Sequence, residues 1–113
     1  MKIIRDRIKE LRRVKAKDLL AHPKNWRVHP PVQARSLRSL LDEIGYADAL
    51  IARQTPDGGL QLIDGHLRAQ TTPDAMVPVL VLDVNEAEAD KLLATLDPSR
   101  RWQSRIPRGL RRC

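Results

Sequence analysis

Residues 60–70 decide the fold of this chain, and they read Leu60-Gln61-Leu62-Ile63-Asp64-Gly65-His66-Leu67-Arg68-Ala69-Gln70. Three of the first four are apolar and follow a Pro-Asp-Gly-Gly turn at residues 56–59, a pattern that predicts a β-strand. The chain then turns at Asp64-Gly65 and continues with residues suited to a short helix. We therefore expect a strand, a turn and a short helix in this order.

The turn has the composition of a phosphate-binding site. Asp64 is placed to cap the helix by accepting a backbone N–H, and Gly65 lacks the Cβ that would hinder a ligand. Free N–H groups at a helix start attract an anion, and Arg68 can grip its oxygens with the fork of its guanidinium. The competing interpretation is a capped turn with a surface arginine.

The histidine after the glycine has two interpretations of equal weight. In the first, His66 donates to a phosphate or acts as a general acid or base. In the second, it is a partly exposed histidine of the turn. Asp64 is the other candidate catalytic residue, although capping already explains it. No metal site is expected, because His22 and His29 have no Cys or carboxylate at ligand spacing.

The composition predicts one intracellular domain. A chain of 113 residues is long enough for a modest core, which Leu, Ile, Val and Ala must fill because aromatic residues make up 3%. The single cysteine, Cys113, permits no internal disulfide and fits a reducing cytoplasm. No apolar run approaches the roughly 18 residues of a membrane span. We therefore expect a soluble, cytoplasmic protein without a membrane partner.

The net charge of +7 is concentrated at the C-terminus. Residues 1–98 contain all 14 acidic residues and 15 of the 21 basic ones, so they are nearly neutral. The other six basic residues are arginines of residues 99–113. Such a tail can hold a nucleic-acid backbone, and its candidate contacts are Arg100, Arg101, Arg105 and Arg108. A disordered terminus is the equally weighted alternative. The sequence thus predicts a domain at 1–98 and an arginine-rich tail.

The remaining elements follow from apolar periodicity and from turn residues. A strand is expected at residues 8–14, a helical turn at 16–20 and a loop with three prolines at 22–31. Residues 32–44 form the clearest helix, whose apolar stripe is Leu37, Leu40, Leu41 and Ile44. Strands are predicted at residues 49–54, 60–63 and 77–83, the last an inner strand because both its faces are apolar. Asn85 and Glu88 predict a capping box for a final helix, with Ala89, Leu92, Leu93 and Leu96 as its buried side.

This order of elements and three motifs resemble the ParB/sulfiredoxin fold. The motifs are His-Pro-Lys-Asn-Trp-Arg at residues 22–27, Leu-Leu-Asp-Glu-Ile-Gly at 40–45 and Ile-Asp-Gly-His-Leu-Arg at 63–68. The likeness covers residues 8–98. It is to the ParB-like N-terminal domain, also labelled a ParB-like nuclease domain, of plasmid- and chromosome-partitioning proteins and their phage relatives. It implies a single α+β domain with a short mixed sheet, a hairpin and two main helices.

The resemblance also implies a nucleotide site. ParB proteins bind a nucleoside triphosphate, usually CTP, through a Gly-Glu-Arg-Arg motif on the phosphates. Gly65 and Arg68 match its first and last positions, whereas the middle pair, which includes His66, differs. Asn25 and Arg27 match the upstream box that helps to close the site. These five residues are therefore the expected phosphate-binding set.

Enzymatic activity is an alternative with less support. Sulfiredoxins place a catalytic cysteine where this chain has His66, so their cysteine chemistry is excluded. A related serine kinase has an Asp-Gly-His-His-Arg motif close to residues 64–68, which keeps phosphoryl transfer open. ParB's later Glu-Asn-x-x-Arg box has no counterpart after Leu96, and no helix-turn-helix domain follows. The resemblance therefore implies neither magnesium binding, nor clamping driven by CTP, nor sequence-specific DNA reading.

The sequence as a whole favours a module that binds the phosphate of a nucleotide or nucleic acid. Its expected role is accessory to DNA partitioning, DNA modification or phage DNA handling. CTP and ATP are the candidate nucleotides, DNA is a candidate partner and a homodimer is compatible with the family. The alternatives are a DNA nuclease, an ATP-dependent phosphotransferase, or a protein-interaction domain with a vestigial pocket. Phosphoryl transfer needs clustered acidic metal ligands or a positioned base, so Asp64 and His66 alone favour binding over turnover.

Overall fold

The computed structural model describes residues 3–24 and 31–96, which form a four-stranded sheet with helices on both faces. The elements in chain order are β1 (Ile8–Lys15), a 3-10 turn (Ala16–Asp18), α1 (Pro31–Glu43), β2 (Leu50–Gln54), β3 (Leu60–Asp64), α2 (His66–Thr71), β4 (Met76–Leu82) and α3 (Glu86–Leu96). Each lies within a few residues of its predicted position, and the predicted fold class is confirmed.

The sheet is mixed, with the strand order β1-β4-β2-β3. β4 lies between β1, to which it is antiparallel, and β2, to which it is parallel. Its alternate residues Val77, Val79 and Val81 are completely buried. The predicted inner position of this strand is therefore confirmed. β2 and β3 form the predicted antiparallel hairpin, in which Gln54 pairs with Leu60.

Two apolar layers hold the helices to the sheet. On the face that carries the 3-10 turn and α2, the core contains Leu50, Ala52, Leu62 and the three buried valines of β4. On the other face, α3 packs through Ala89 and Leu93 against Ile63. Because aliphatic side chains fill both layers, the fold needs no large aromatic core.

The start of α3 shows how a local sequence pattern fixes a boundary. The Glu88 backbone N–H donates to Asn85 Oδ1 at 2.8 Å, and the Asn85 N–H donates to Glu88 Oε1 at 2.9 Å. This reciprocal pair is the predicted capping box, which satisfies two donors that a helix start would otherwise leave without partners. Arg7 adds an ion pair to Glu88 at 3.0 Å and so connects the chain before β1 to the same helix end.

The predicted apolar stripe of α1 is buried much less than its periodicity suggests. The prediction of the helix is correct, but Leu40 is 50% exposed and Ile44 is 66% exposed. Leu37 and Leu41 are half-buried. The reason is that the helix packs mainly against the short α2 and not against the sheet. A six-residue neighbour can cover only part of a thirteen-residue helix.

None of the helices in residues 3–24 and 31–96 is long and apolar enough to cross a lipid bilayer.

Candidate functional site

The turn between β3 and α2 is built around a left-handed glycine. Gly65 has φ +101° and ψ +19° and is the N-cap of α2. Asp64, the expected cap, is instead the last residue of β3. A Cβ on Gly65 would lie 2.7 Å from Leu50 Cγ, closer than any packed carbon pair. The glycine is therefore required by its backbone and by close packing, and the space that we expected it to leave for a ligand is filled by Leu50.

Arg68 is held at this turn by carboxylates on two sides. Its Nη1 forms an ion pair with Asp48 Oδ1, and its Nη2 lies 3.6 Å from Asp64 Oδ2. The side chains of Arg68 and Asp64 are each 14% exposed, whereas that of Asp48 is 74% exposed. The sequence motif placed Arg68 and Asp64 one helical turn apart, but it gave no signal for Asp48. Arg68 thus has one deep and one solvent-facing partner.

Tyr46, which no sequence pattern indicated as part of the site, fixes the backbone of Arg68. The Tyr46 hydroxyl donates to the Arg68 carbonyl at 3.0 Å and lies 2.6 Å from Thr72 Oγ1. Thr72 also donates its hydroxyl to the same carbonyl, at 2.9 Å. These bonds occupy an acceptor that the C-terminal end of a short helix would otherwise expose. The arginine is therefore fixed at its backbone as well as at its guanidinium.

His66 is buried and connects α2 to the loop after the 3-10 turn. Its Nε2 accepts the backbone N–H of His22 at 3.1 Å. Since Nε2 is the acceptor, this hydrogen bond places the proton of the ring on Nδ1. The interpretation of His66 as a partly exposed turn residue is therefore wrong, because the ring is enclosed and joins two segments. A general base at Nε2 would have to break this contact first.

His22 is also buried and extends the connection to α3. Its Nδ1 accepts the backbone N–H of Lys24 at 3.0 Å, and its Nε2 lies 2.9 Å from Asp90 Oδ1. The other carboxylate oxygen of Asp90 lies 2.7 Å from Lys24 Nζ. The loop that begins at His22 is thus fixed to α2 at one point and to α3 at two. The sequence pattern placed this residue in a loop with three prolines, and no local pattern linked it to Asp90.

The charged side chains of Lys24 and Asp90, which connect this loop to α3, stabilise each other. The hydrogen bond from Lys24 lowers the pKa of Asp90, and the positive charge of Lys24 lowers it further, although partial desolvation opposes the shift. The same hydrogen bond and the charge of Asp90 raise the pKa of Lys24. Both shifts favour the ion pair across the neutral pH range.

The other predicted binding residues lie outside the described residues. Asn25 and Arg27 fall between the two described ranges, and the four arginines of the tail are beyond residue 96. Within residues 3–24 and 31–96, no three His, Cys, Asp or Glu side chains are grouped as a metal site requires. Of the predicted phosphate-binding set, Gly65, His66 and Arg68 are described and lie at the start of α2, where the His66 ring contacts His22 and the Arg68 guanidinium contacts Asp48 and Asp64.

Comparison with known proteins identifies the fold. No protein-family model matches the chain, and no curated protein does. The structure is similar to the C-terminally truncated chromosome-partitioning protein ParB from Caulobacter crescentus complexed with CTP-γ-S, with a TM-score of 0.69, 18% identity, and coverage of 80% of this chain and 54% of that one. It is also similar to the same protein complexed to the centromeric parS site, with a TM-score of 0.61, 18% identity, and coverage of 85% and 49%. The chain spans about half the length of these structures. The described residues therefore form a small α+β domain with the ParB-like fold.

Proposed function

We propose that this domain binds a phosphate group of a nucleoside triphosphate or of DNA at the turn formed by residues 64–68. Its role would be accessory to DNA partitioning or modification, or to DNA handling in a phage. The observation that carries the proposal is the position of Arg68, whose nearly enclosed guanidinium has one solvent-facing partner, Asp48. The ParB-like fold supports it, since one solved protein with this fold is complexed with CTP-γ-S and with parS DNA.

The proposed binding step is an exchange of anions on Arg68. A phosphate that approaches from solvent displaces the exposed Asp48 carboxylate and takes its place on Nη1. Asp64 stays below the guanidinium and fixes its orientation. Because an arginine fork matches two oxygens of a phosphate, the incoming group can gain a second hydrogen bond that Asp48 does not make.

The loop anchored at His22 belongs to the proposed site through its continuation to Asn25 and Arg27. His66 and Asp90 hold the beginning of this loop, and the next residues are those that the family uses to close its nucleotide site. His66 therefore acts in the proposal as a positioning residue. No contact among the described residues favours catalysis over binding.

The test is calorimetric titration of the full chain with CTP, ATP and a short DNA duplex, with and without Mg²⁺. Arg68→Ala removes a charge-assisted hydrogen bond worth about 1.5–3 kcal/mol, so affinity should fall by about one to two decades. Asp48→Asn removes the competing carboxylate and should raise affinity. Arg13→Ala, an equal loss of charge on the distant strand β1, should change nucleotide affinity little.

If phosphate replaces the Asp48 carboxylate on Arg68, the Asp48 and Arg68 variants should change affinity in opposite directions while Arg13→Ala changes it little. If Arg68→Ala binds every nucleotide and the DNA as tightly as the parent chain does, the proposal is wrong. In that case residues 64–68 form a structural turn. His66→Ala adds a second control: a binding module loses affinity through the loosened loop, whereas an enzyme would lose turnover at unchanged affinity.

A further inference from the structure

A second candidate site lies at the opposite end of the sheet from Arg68. It is an open cleft of about 650 Å³ at the carboxyl ends of the neighbouring parallel strands β2 and β4. The β2–β3 turn forms one wall, and residues 82–86, which lead into α3, form another. In the hairpin, this end is marked by the Gln54–Leu60 pair and the other end by Ile51–Asp64. Four residue steps of a strand separate the two ends by about 13 Å, so the cleft is distinct from the turn after β3.

Arg53 lines this cleft and is the feature that calls for a ligand. It is 9% exposed, and its Nε donates to Gln61 Oε1 at 2.9 Å. Within the described part of the chain, its guanidinium forms no ion pair with a carboxylate. A nearly buried charge without a counterion is unfavourable, and the neutral amide of Gln61 compensates it only in part. The cleft is the opening through which an anion from solvent can reach this guanidinium.

A lysine supplies a second positive charge at the same cleft. Lys9 extends from β1 across the end of β4, and its Nζ lies 3.1 Å from Gln54 Oε1. The side chain is exposed and lines the cleft. The start of the eleven-residue α3 lies in the opposite wall, and Glu86 and Glu88 in its first turn offset the positive end of its dipole. Arg53 and Lys9 are thus the two cations that line this cleft.

Two carboxylates, those of Asp83 and Glu86, also line the cleft, and neither forms an ion pair within the described residues, although a cation lies near each. Arg7 donates to the Asp83 carbonyl, so its guanidinium lies beside that residue. Glu86 is exposed and lies near Lys24, whose pKa is raised first by its hydrogen bond to Asp90 and further by the charge of Glu86. Arg53 is the least exposed of the charged residues that line the cleft, so it gains most from an anion placed directly on its guanidinium.

We propose that this cleft binds a small ligand through an oxyanion, a carboxylate or a phosphate. The two Nη groups of Arg53 form the fork, and Lys9 provides the second cation. The volume of about 650 Å³ suits a small metabolite.

The test is a titration of the isotope-labelled full chain, followed by NMR, with inorganic phosphate and separately with acetate. The added anion replaces chloride in the buffer, so that the ionic strength stays constant. The Arg53 Nε–H signal and the amide signals of Thr55 and Asn85 should shift and saturate together. The amide signals of Gly65 and His66 report the other site independently. Saturation by phosphate alone assigns a phosphate ligand, and saturation by acetate as well assigns a carboxylate.

Two matched lysines on β1 make the test specific. Lys9→Gln should lower the affinity of the cleft for the anion at least threefold. Lys15→Gln, the same change at the far end of β1, should leave this affinity unchanged. Arg53→Gln should abolish the saturable shifts. If that variant does not fold, the two lysine variants decide. The proposal is overturned if the three signals fail to saturate with either anion, or if Lys15→Gln weakens binding as much as Lys9→Gln.

Discussion

Replacing Gly65 by alanine tests the geometry of the central turn most directly. The residue has φ +101°, a conformation that an L-residue rarely adopts, and its added Cβ would lie 2.7 Å from Leu50 Cγ. It would also lie 3.1 Å from Arg68 Nη2. Leu50 is completely buried in the main core and cannot easily withdraw. The substitution should therefore destabilise the domain and displace the guanidinium.

The expected loss has two parts. A left-handed backbone costs an L-residue about 1–2 kcal/mol. Inserting a methyl group into a well-packed core costs about 1–3 kcal/mol more. Together they predict that Gly65→Ala lowers the free energy of unfolding by about 2–5 kcal/mol. This is a large share of the about 5–15 kcal/mol that typically holds a domain together.

Two other glycines separate the parts experimentally. Gly58 and Gly45 have φ +92° and +95°, and an added Cβ would meet no atom within 4 Å at either position. Their alanine variants should lose only the backbone part, about 1–2 kcal/mol. Urea unfolding of the three variants measures the difference. Equal losses at all three positions would show that Leu50 yields to the added methyl group, and the account of Gly65 as a packing residue would be refuted.

Three further changes have defined outcomes. Leu41→Asp should lower the free energy of unfolding by about 1–2 kcal/mol in a thermal or urea melt, since Leu41 is only half-buried. Leu40→Asp should have a smaller effect, and complete unfolding of the Leu41 variant would contradict this prediction. The pKa of Asp90 is lowered first by the hydrogen bond from Lys24, so its stabilising effect is present above the unfolded value of about 3.9 and is lost as the pH falls through the lower folded value. Asp90→Asn should remove this pH-dependent contribution from the free energy of unfolding, measured in urea between pH 2 and 6. An unchanged pH profile would show that Asp90 contributes no such stability. Deleting residues 99–113 should leave the melting temperature nearly unchanged but weaken any DNA binding and flatten its salt dependence; failure of the shortened chain to fold would show that the tail is structural.

The parts of the fold that could be predicted from sequence depend on short-range signals. Asn85 and Glu88 are three residues apart, so their reciprocal hydrogen bonds are visible in the sequence before any tertiary structure is known. The inner position of β4 followed from apolar residues at consecutive positions, because only a strand covered on both faces tolerates them. The hairpin followed from its glycine-containing turn. In each case the deciding residues are neighbours in the chain.

The anchor of the loop could not be predicted, because its residues are far apart in sequence. His22 and His66 are separated by 44 positions and Lys24 and Asp90 by 66, and no periodicity relates them. A histidine beside a proline is typical of an exposed loop, and only the packing of α2 and α3 buries it. The predicted burial of the apolar stripe of α1 was wrong because burial also depends on tertiary packing that the sequence does not show. Its spacing is ideal for burial, but the surface that it meets, α2, has only six residues.

The two enclosed arginines place different requirements on an incoming anion. At Arg68 an anion must displace Asp48, but an exposed ion pair is worth only about 0–1 kcal/mol, whereas a charge-assisted hydrogen bond to phosphate contributes about 1.5–3 kcal/mol. We therefore expect the proposed exchange to be favourable for phosphate and Asp48 to exclude weaker anions. At Arg53 no described carboxylate has to leave, so even a weak anion should bind. The two ends of the same hairpin should thus differ in selectivity: the turn after β3 requires a strong, forked ligand such as a phosphate, and the cleft accepts a simple carboxylate.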